Sequence, residues 1–186
     1  MPVDDVLLET EDKMQKSEEV VQREFAGVRT GKASPGLVEN LQVECYGTQM
    51  RLKELANISA PEPRLLVVTP FDASNVSAVE KAIQKANLGL NPAIDGKLIR
   101  LVLPELSEER RQEYVKHVKK MAEDGRVAVR HVRRDALTQL KAESKSGEIT
   151  EDDLSKGEKD VQKLTDDFVK KIDEALEEKE KEIMTV

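Results

Sequence analysis

The chain has 186 residues, of which 36% are charged, 38% hydrophobic and only 3% aromatic, with a formal net charge of −7. That length holds one or two domains, and the composition suits long solvated helices better than a compact aromatic core. A lone cysteine (Cys45) excludes an internal disulfide, the longest aliphatic runs are far too short to span a bilayer, and the acidic first twelve residues do not read as a secretory signal, so a soluble cytoplasmic protein is expected.

From residue 3 to 28, apolar side chains recur in steps of threes and fours: Val3, Leu7, Met14, Val21, Phe25, Val28. This predicts an amphipathic helix, broken by Gly31, Pro35 and Gly36. Leu41, Val43 and Cys45 then alternate with polar residues as in a strand, Tyr46-Gly47-Thr48 reads as a turn, and Met50 and Leu52 continue the alternation. Residues 65–68, between Pro63 and Pro70, predict a short buried strand. Asp72 or Ser74 caps a predicted helix through Ala86, with Val76, Val79 and Ile83 on its inner face. Leu88-Gly89-Leu90-Asn91-Pro92 ends it, and Asp95-Gly96 is a turn signal before a last strand at 98–103.

After Pro104 the helical period returns. Ser107 is the predicted N-cap, with Glu108 and Glu109 in the first turn. Tyr114, Val118, Met121, Gly125, Ala128, Val132 and Ala136 mark a stripe that runs to about Ser144. Ser146-Gly147 interrupts it. Thr150 and Asp153 stand in capping-box spacing at the start of a third helix, lined by Val161, Leu164, Phe168, Ile172, Ala175 and Ile183. None of the three long helices can bury its stripe alone. The expected class is therefore α+β: a long antiparallel three-helix bundle from 1–30 and 105–186, with a smaller β-rich α/β domain inserted at 31–104.

Residues 110–134 hold nine Lys or Arg against three acids, a local +6 inside an acidic chain. On a helical wheel starting at Arg111, Arg133, Arg126, Lys119, Arg130, Lys116 and Arg134 fall between roughly 40° and 140°, beside the apolar stripe near 310°. The positive charge is thus expected to form one ridge. Such a ridge, rich in Arg, suits phosphate, and the scarcity of aromatics argues for recognition of RNA shape and backbone over stacked bases. The plainer alternative is internal pairing, because residues 147–186 carry 14 acids against seven bases.

Enzymatic chemistry finds little support. Cys45 sits in strand alternation, where packing explains it. His117 and His131 lie about 21 Å apart by helical rise and cannot share a metal. Gly31-Lys32 lacks a phosphate-binding loop's flanking residues: Ala26 and Ala33 stand where Gly and Ser or Thr are required. A coiled-coil scaffold accounts for the helices but not for the insert or the ridge.

Several motifs stand together: Arg29-Thr30-Gly31-Lys32-Ala33-Ser34-Pro35, Tyr46-Gly47, Leu88-Gly89-Leu90-Asn91-Pro92, Ile99-Arg100, Leu106-Ser107-Glu108-Glu109-Arg110-Arg111, Arg126-Val127-Ala128-Val129-Arg130, Arg133-Arg134-Asp135-Ala136 and Gln162-Lys163-Leu164-Thr165-Asp166. In this order and spacing the chain resembles the bacterial and organellar ribosome recycling factor family over essentially its whole length. The resemblance implies an L-shaped two-domain protein, a monomer that binds neither DNA nor membrane. It implies binding to the post-termination ribosome through large-subunit ribosomal RNA, and splitting into subunits with elongation factor G, which hydrolyses the GTP. No catalytic residue, metal or cofactor of its own is implied. Matched residue by residue, the family's RNA-binding positions are Arg29, Arg111, Arg130 and Arg133, to which the local charge adds Lys32, Lys119 and Arg126. The linkers, at Thr30, Gly31, Pro104 and Glu105, correspond to the family's hinges. Lys32, Cys45 and His131 depart from the residues usual in the family (Arg, Tyr and Asn).

Overall fold

A computed structural model describes residues 2–185. The chain divides into two compact units, one formed by Met1–Phe25 with Lys116–Glu180 and the other by Ala26–Val115 with Lys181–Val186. The expected boundaries lay at 30/31 and 104/105. Residues 26–30, 105–115 and 181–186 instead group with the inserted segment, where Arg29 bonds the Pro104 carbonyl and Arg111 the Met184 carbonyl.

Three long helices supply the first unit: α1 (Pro2–Ala26), α4 (Glu108–Ser146) and α5 (Glu151–Met184). Pro2 opens α1 with φ already set, and Asp4 and Asp5 face the positive end of the helix dipole. Ser107 Oγ accepts the Arg110 amide 3.2 Å away and so caps α4. Gly147, at φ +83°, provides the left-handed residue that ends it. Thr150 then caps α5 reciprocally: its Oγ1 accepts from the Asp153 amide at 3.1 Å, and Asp153 Oδ2 accepts from the Thr150 amide at 3.2 Å.

Packing sets the helix directions. A Cβ at Gly157 would lie 3.1 Å from Leu140 and 3.3 Å from Val3, and one at Gly125 would meet Val21 and Ile172. As α1 runs from 3 to 21, α4 therefore runs from 140 to 125 and α5 from 157 to 172. The bundle is antiparallel between α4 and both its neighbours. Val6, Ala136, Leu140, Ile149 and Val161 form the core at its turn end. On α4 the most buried positions include Ala122 and Val129, whereas Met121, Ala128 and Val132 are half-buried. The expected seam is rotated because α4 faces two helices, not one, and its buried arc is wider than a single stripe.

Hydrogen bonding to Thr150 holds the Asp153 carboxyl below its ordinary range. The resulting stabilisation is present above the unfolded carboxylate value of about 3.9 and is lost as pH falls through the lower native value. Thr150→Ala is expected to cost about 1 kcal/mol at neutral pH and to flatten the acid limb of stability, read by thermal melts between pH 2 and 7.

In the second unit, β1 (Gln42–Cys45) pairs with β2 (Thr48–Arg51), Cys45 opposite Thr48. Tyr46 and Gly47, at φ +54° and +75°, make the two-residue turn. A four-stranded antiparallel sheet in the order β3-β4-β6-β5 follows, with β3 Ala56–Glu62, β4 Leu65–Pro70, β5 Asn91–Asp95 and β6 Leu98–Val102. Helix α3 (Val76–Lys85) packs one side of the strands through Val76, Val79 and Ile83, over Leu66, Val68, Ile99 and Leu101. Burying each of these aliphatic side chains contributes about 1.5–3 kcal/mol. Leu52 does not extend β2; it opens a one-turn helix, α2 (Leu52–Leu55), whose Leu52 and Leu55 point into the same core.

Candidate nucleic-acid interface

Of the three helices of the first unit, α4 is the one with a net positive charge. Between 116 and 134 it carries seven Lys or Arg and two acids, while α1 carries eight acids and three bases. With α5 net acidic as well, the dense run of positive charge in this unit is on α4. Lys116, Lys119, Lys120, Arg130 and Arg134 are exposed and Arg133 is half-exposed. Arg133 donates to Gln162 Oε1 at 3.5 Å, a neutral partner at the limit of hydrogen bonding. Lys119 lies 3.8 Å from Glu180, and Arg130 lies 3.4 Å from Glu123. Both pairs are in water and leave the cations available.

Arg126 behaves differently. Its side chain is only 19% exposed, with Nε 2.7 Å from Asp173 Oδ1 and Nη1 3.0 Å from Glu123 Oε2. Partial burial pulls its pKa down, but the bonds to Asp173 and Glu123 outweigh that and leave it above the ordinary value. It clasps α4 to α5. The internal pairing weighed as an alternative for the whole ridge therefore holds strongly at one of its members.

The remaining expected residues lie in the second unit. Lys32 is exposed. Arg29 is 8% exposed, and Nη2 donates to the Pro104 carbonyl at 2.5 Å. Its Nε is buried without a partner, and burial lowers its pKa. Arg111 donates to the carbonyls of Leu106 (3.4 Å) and Met184 (3.2 Å). These two arginines and Arg64, which pairs with Glu105 at 3.0 Å, line a cleft of about 480 Å3. Arg64 carried no sequence signal, since it stands alone in the two-residue turn between Ala56–Glu62 and Leu65–Pro70, outside any cluster of like charge. The linker residues are tied down: Thr30 Oγ1 bonds the Lys32 amide at 3.2 Å, and a Cβ at Gly31 would press on the Thr185 carbonyl at 2.8 Å. Thr30, Gly31, Pro104 and Glu105 thus all lie inside one compact unit.

Among the described residues no group of three or more His, Cys, Asp or Glu is placed to hold a metal, and no helix is long and apolar enough to cross a membrane. The exposed cations lie along one edge of α4.

Residues 21–184 match the sequence profile of the family described as ribosome recycling factor. The chain belongs to the ribosome recycling factor family. Similar proteins bear the family's name at close distance: the ribosome-recycling factor of Bacillus subtilis (strain 168) is 53% identical over 182 residues, 98% of this chain and 98% of its own. That of Bacillus licheniformis is 52% identical over 181 residues, 97% of this chain and 98% of its own. The fold agrees. A solution structure of the ribosome recycling factor matches with a TM-score of 0.78 at 41% identity, covering 100% of this chain and 99% of that one. A second match, with a TM-score of 0.70 at 43% identity and full coverage of both chains, comes from models for the T. thermophilus ribosome recycling factor and the E. coli elongation factor G bound to the E. coli post-termination complex. Family membership places the chain in translation, at ribosome recycling. The α+β class expected from periodicity, a helical bundle with an inserted β-rich segment, is the class these structures share.

Proposed function

We propose that this protein binds the post-termination ribosome through large-subunit ribosomal RNA and, with elongation factor G and GTP, promotes its dissociation into subunits. The observation that carries the RNA part is the run of exposed cations on α4, confined to one helix of an otherwise acidic unit. The similar protein placed with elongation factor G on a post-termination complex supports the rest. Lys116, Lys119, Lys120, Arg130, Arg133 and Arg134 meet phosphates. Arg126 shapes the ridge from behind by holding α5. In the second unit Lys32 and the cleft of Arg29 and Arg111 add contacts, with Arg29 acting chiefly on the Pro104 carbonyl. The protein serves as a mechanical adaptor and a monomer. Its own side chains make and break no bond, and GTP hydrolysis belongs to elongation factor G.

Co-sedimentation with isolated large and small subunits tests the RNA contact. Binding is expected to favour the large subunit and to weaken with salt. Six neutralised phosphates give a log–log slope of about −4 to −5. A salt-independent interaction would exclude the ridge as the contact. Light scattering of post-termination ribosomes with elongation factor G and GTP reads the splitting itself.

A further inference from the structure

Two acids, Glu123 and Asp124, interrupt the cations of α4 between residues 116 and 134. A carboxylate beside a polyanion weakens binding by its charge alone, so an acid in the middle of the ridge calls for a reason. Glu123 accepts from two of the ridge arginines. Arg126 Nη1 lies 3.0 Å from its Oε2, and Arg130 Nη1 lies 3.4 Å from its Oε1. The first contact is fixed from behind: Arg126 is mostly buried and gives Nε and Nη2 to Asp173 Oδ1 on α5, at 2.7 and 2.6 Å. Asp173, Arg126, Glu123 and Arg130 thus form one chain of alternating charge, from α5 to an exposed arginine of α4.

The local sequence explains why Arg130 needs such a partner. On a helix, side chains three and four positions away are the neighbours. For Arg130 these are Arg126, Val127, Arg133 and Arg134. Three like charges and no acid push its guanidinium aside. Glu123 stands seven positions back, about 20° away around the helix and about 10.5 Å along it. Helical side chains lean toward the N-terminus, so an extended Arg130 reaches back over two turns to meet it.

A contact at this reach holds the long side chain along the helix axis. It occupies Nη1 alone: among the described residues nothing bonds Arg130 Nε or Nη2. Those two nitrogens make up an edge with which arginine takes two oxygens of a phosphate. The pair itself is in water and adds little to stability. Its effect lies in affinity, because a long side chain that must first be ordered on binding loses about two- to tenfold.

We propose that Glu123 is a positioning residue for the RNA contact: clamped by Arg126, it holds Arg130 extended with the Nε–Nη2 edge free to take a phosphate. The proposal rests on the RNA binding proposed above. Its test measures binding of the full chain to isolated large ribosomal subunits at one fixed salt concentration. Glu123→Gln removes the negative charge at nearly constant shape and leaves one acceptor oxygen for two arginines. Charge alone would make this variant bind more tightly. Positioning demands the reverse, an affinity about two- to tenfold below the parent, with the melting temperature within a few degrees. In an Arg130→Ala background the same substitution should cause no further loss. Equal or tighter binding by the single variant would overturn the proposal. So would an equal loss in both backgrounds, because Glu123 would then act through the fold or through another residue. If Arg130→Ala binds as the parent does, the RNA contact at Arg130 is what fails, and the positioning role goes with it. A weakened Arg130→Ala beside a Glu123→Gln that binds as the parent does sinks the positioning role alone.

Discussion

Arg133→Glu is expected to weaken binding to isolated large ribosomal subunits by about 10- to 100-fold while leaving the melting temperature within about a degree or two of the parent. Charge-assisted hydrogen bonds contribute about 1.5–3 kcal/mol each, and 1.4 kcal/mol is a factor of ten. Reversing the sign adds repulsion from neighbouring phosphates. Stability is spared because the side chain is half-exposed and holds only a 3.5 Å bond to neutral Gln162. Arg126→Ala is the informative contrast. That arginine bridges Asp173 and Glu123, so its loss is expected to show mainly in the melting temperature, with a smaller effect on affinity. Equal affinity losses for the two variants would mean that the exposed and the clasped arginines do the same job, contrary to the geometry.

The second large effect falls on stability. Gly125 sits in the middle of α4, where glycine ordinarily weakens a helix by about 1 kcal/mol relative to Ala. Here a Cβ would overlap Val21 Cγ2 and lie 3.5 Å from Ile172 Cδ1. Valine has one preferred rotamer in a helix, so Val21 cannot swing aside. Overpacking costs about 1–3 kcal/mol, and the helix-propensity gain offsets about 1. Gly125→Ala should therefore lower stability by up to about 2 kcal/mol, a fall of about 4–8 °C in Tm for a chain of this size. Val21→Ala opens the contested space. In a double-mutant cycle the pair should lose at least about 1 kcal/mol less than the two single variants together. Strict additivity would show that α1 does not approach α4 through this glycine.

The elements that were legible in the residues are those that bury a regular stripe. All three long helices lie within a few residues of their expected positions, and the caps at Ser107 and Thr150 make the bonds their spacing implied. The strand at Leu65–Pro70 and the last strand, Leu98–Val102, were equally plain, because both are interior to the sheet. The two strands with no sequence signal, Ala56–Glu62 and Asn91–Asp95, are its edges. Edge strands bury little, so Asn57, Ser59 and Pro61 in one and Pro92 in the other cost nothing and hide the alternation. Leu52 was misassigned for the converse reason: a buried leucine serves a strand or a single helical turn alike.

At the candidate interface, the helical wheel sets the cations of α4 along one edge, because angular position along a helix follows from residue number alone. It could not say which cations remain in water. That depends on whether a carboxylate from another helix comes within reach. Asp173, 47 positions away, meets Arg126. Arg133 meets the neutral Gln162. The same holds for Arg29, whose burial against the Pro104 carbonyl joins residues 75 apart, and for the Tyr46–Asp72 bond, which joins two turns 26 residues apart. Periodicity and capping are local and are written into neighbouring residues. Pairing and exposure are properties of surfaces that meet only when the chain has folded, and only the tertiary structure decides them.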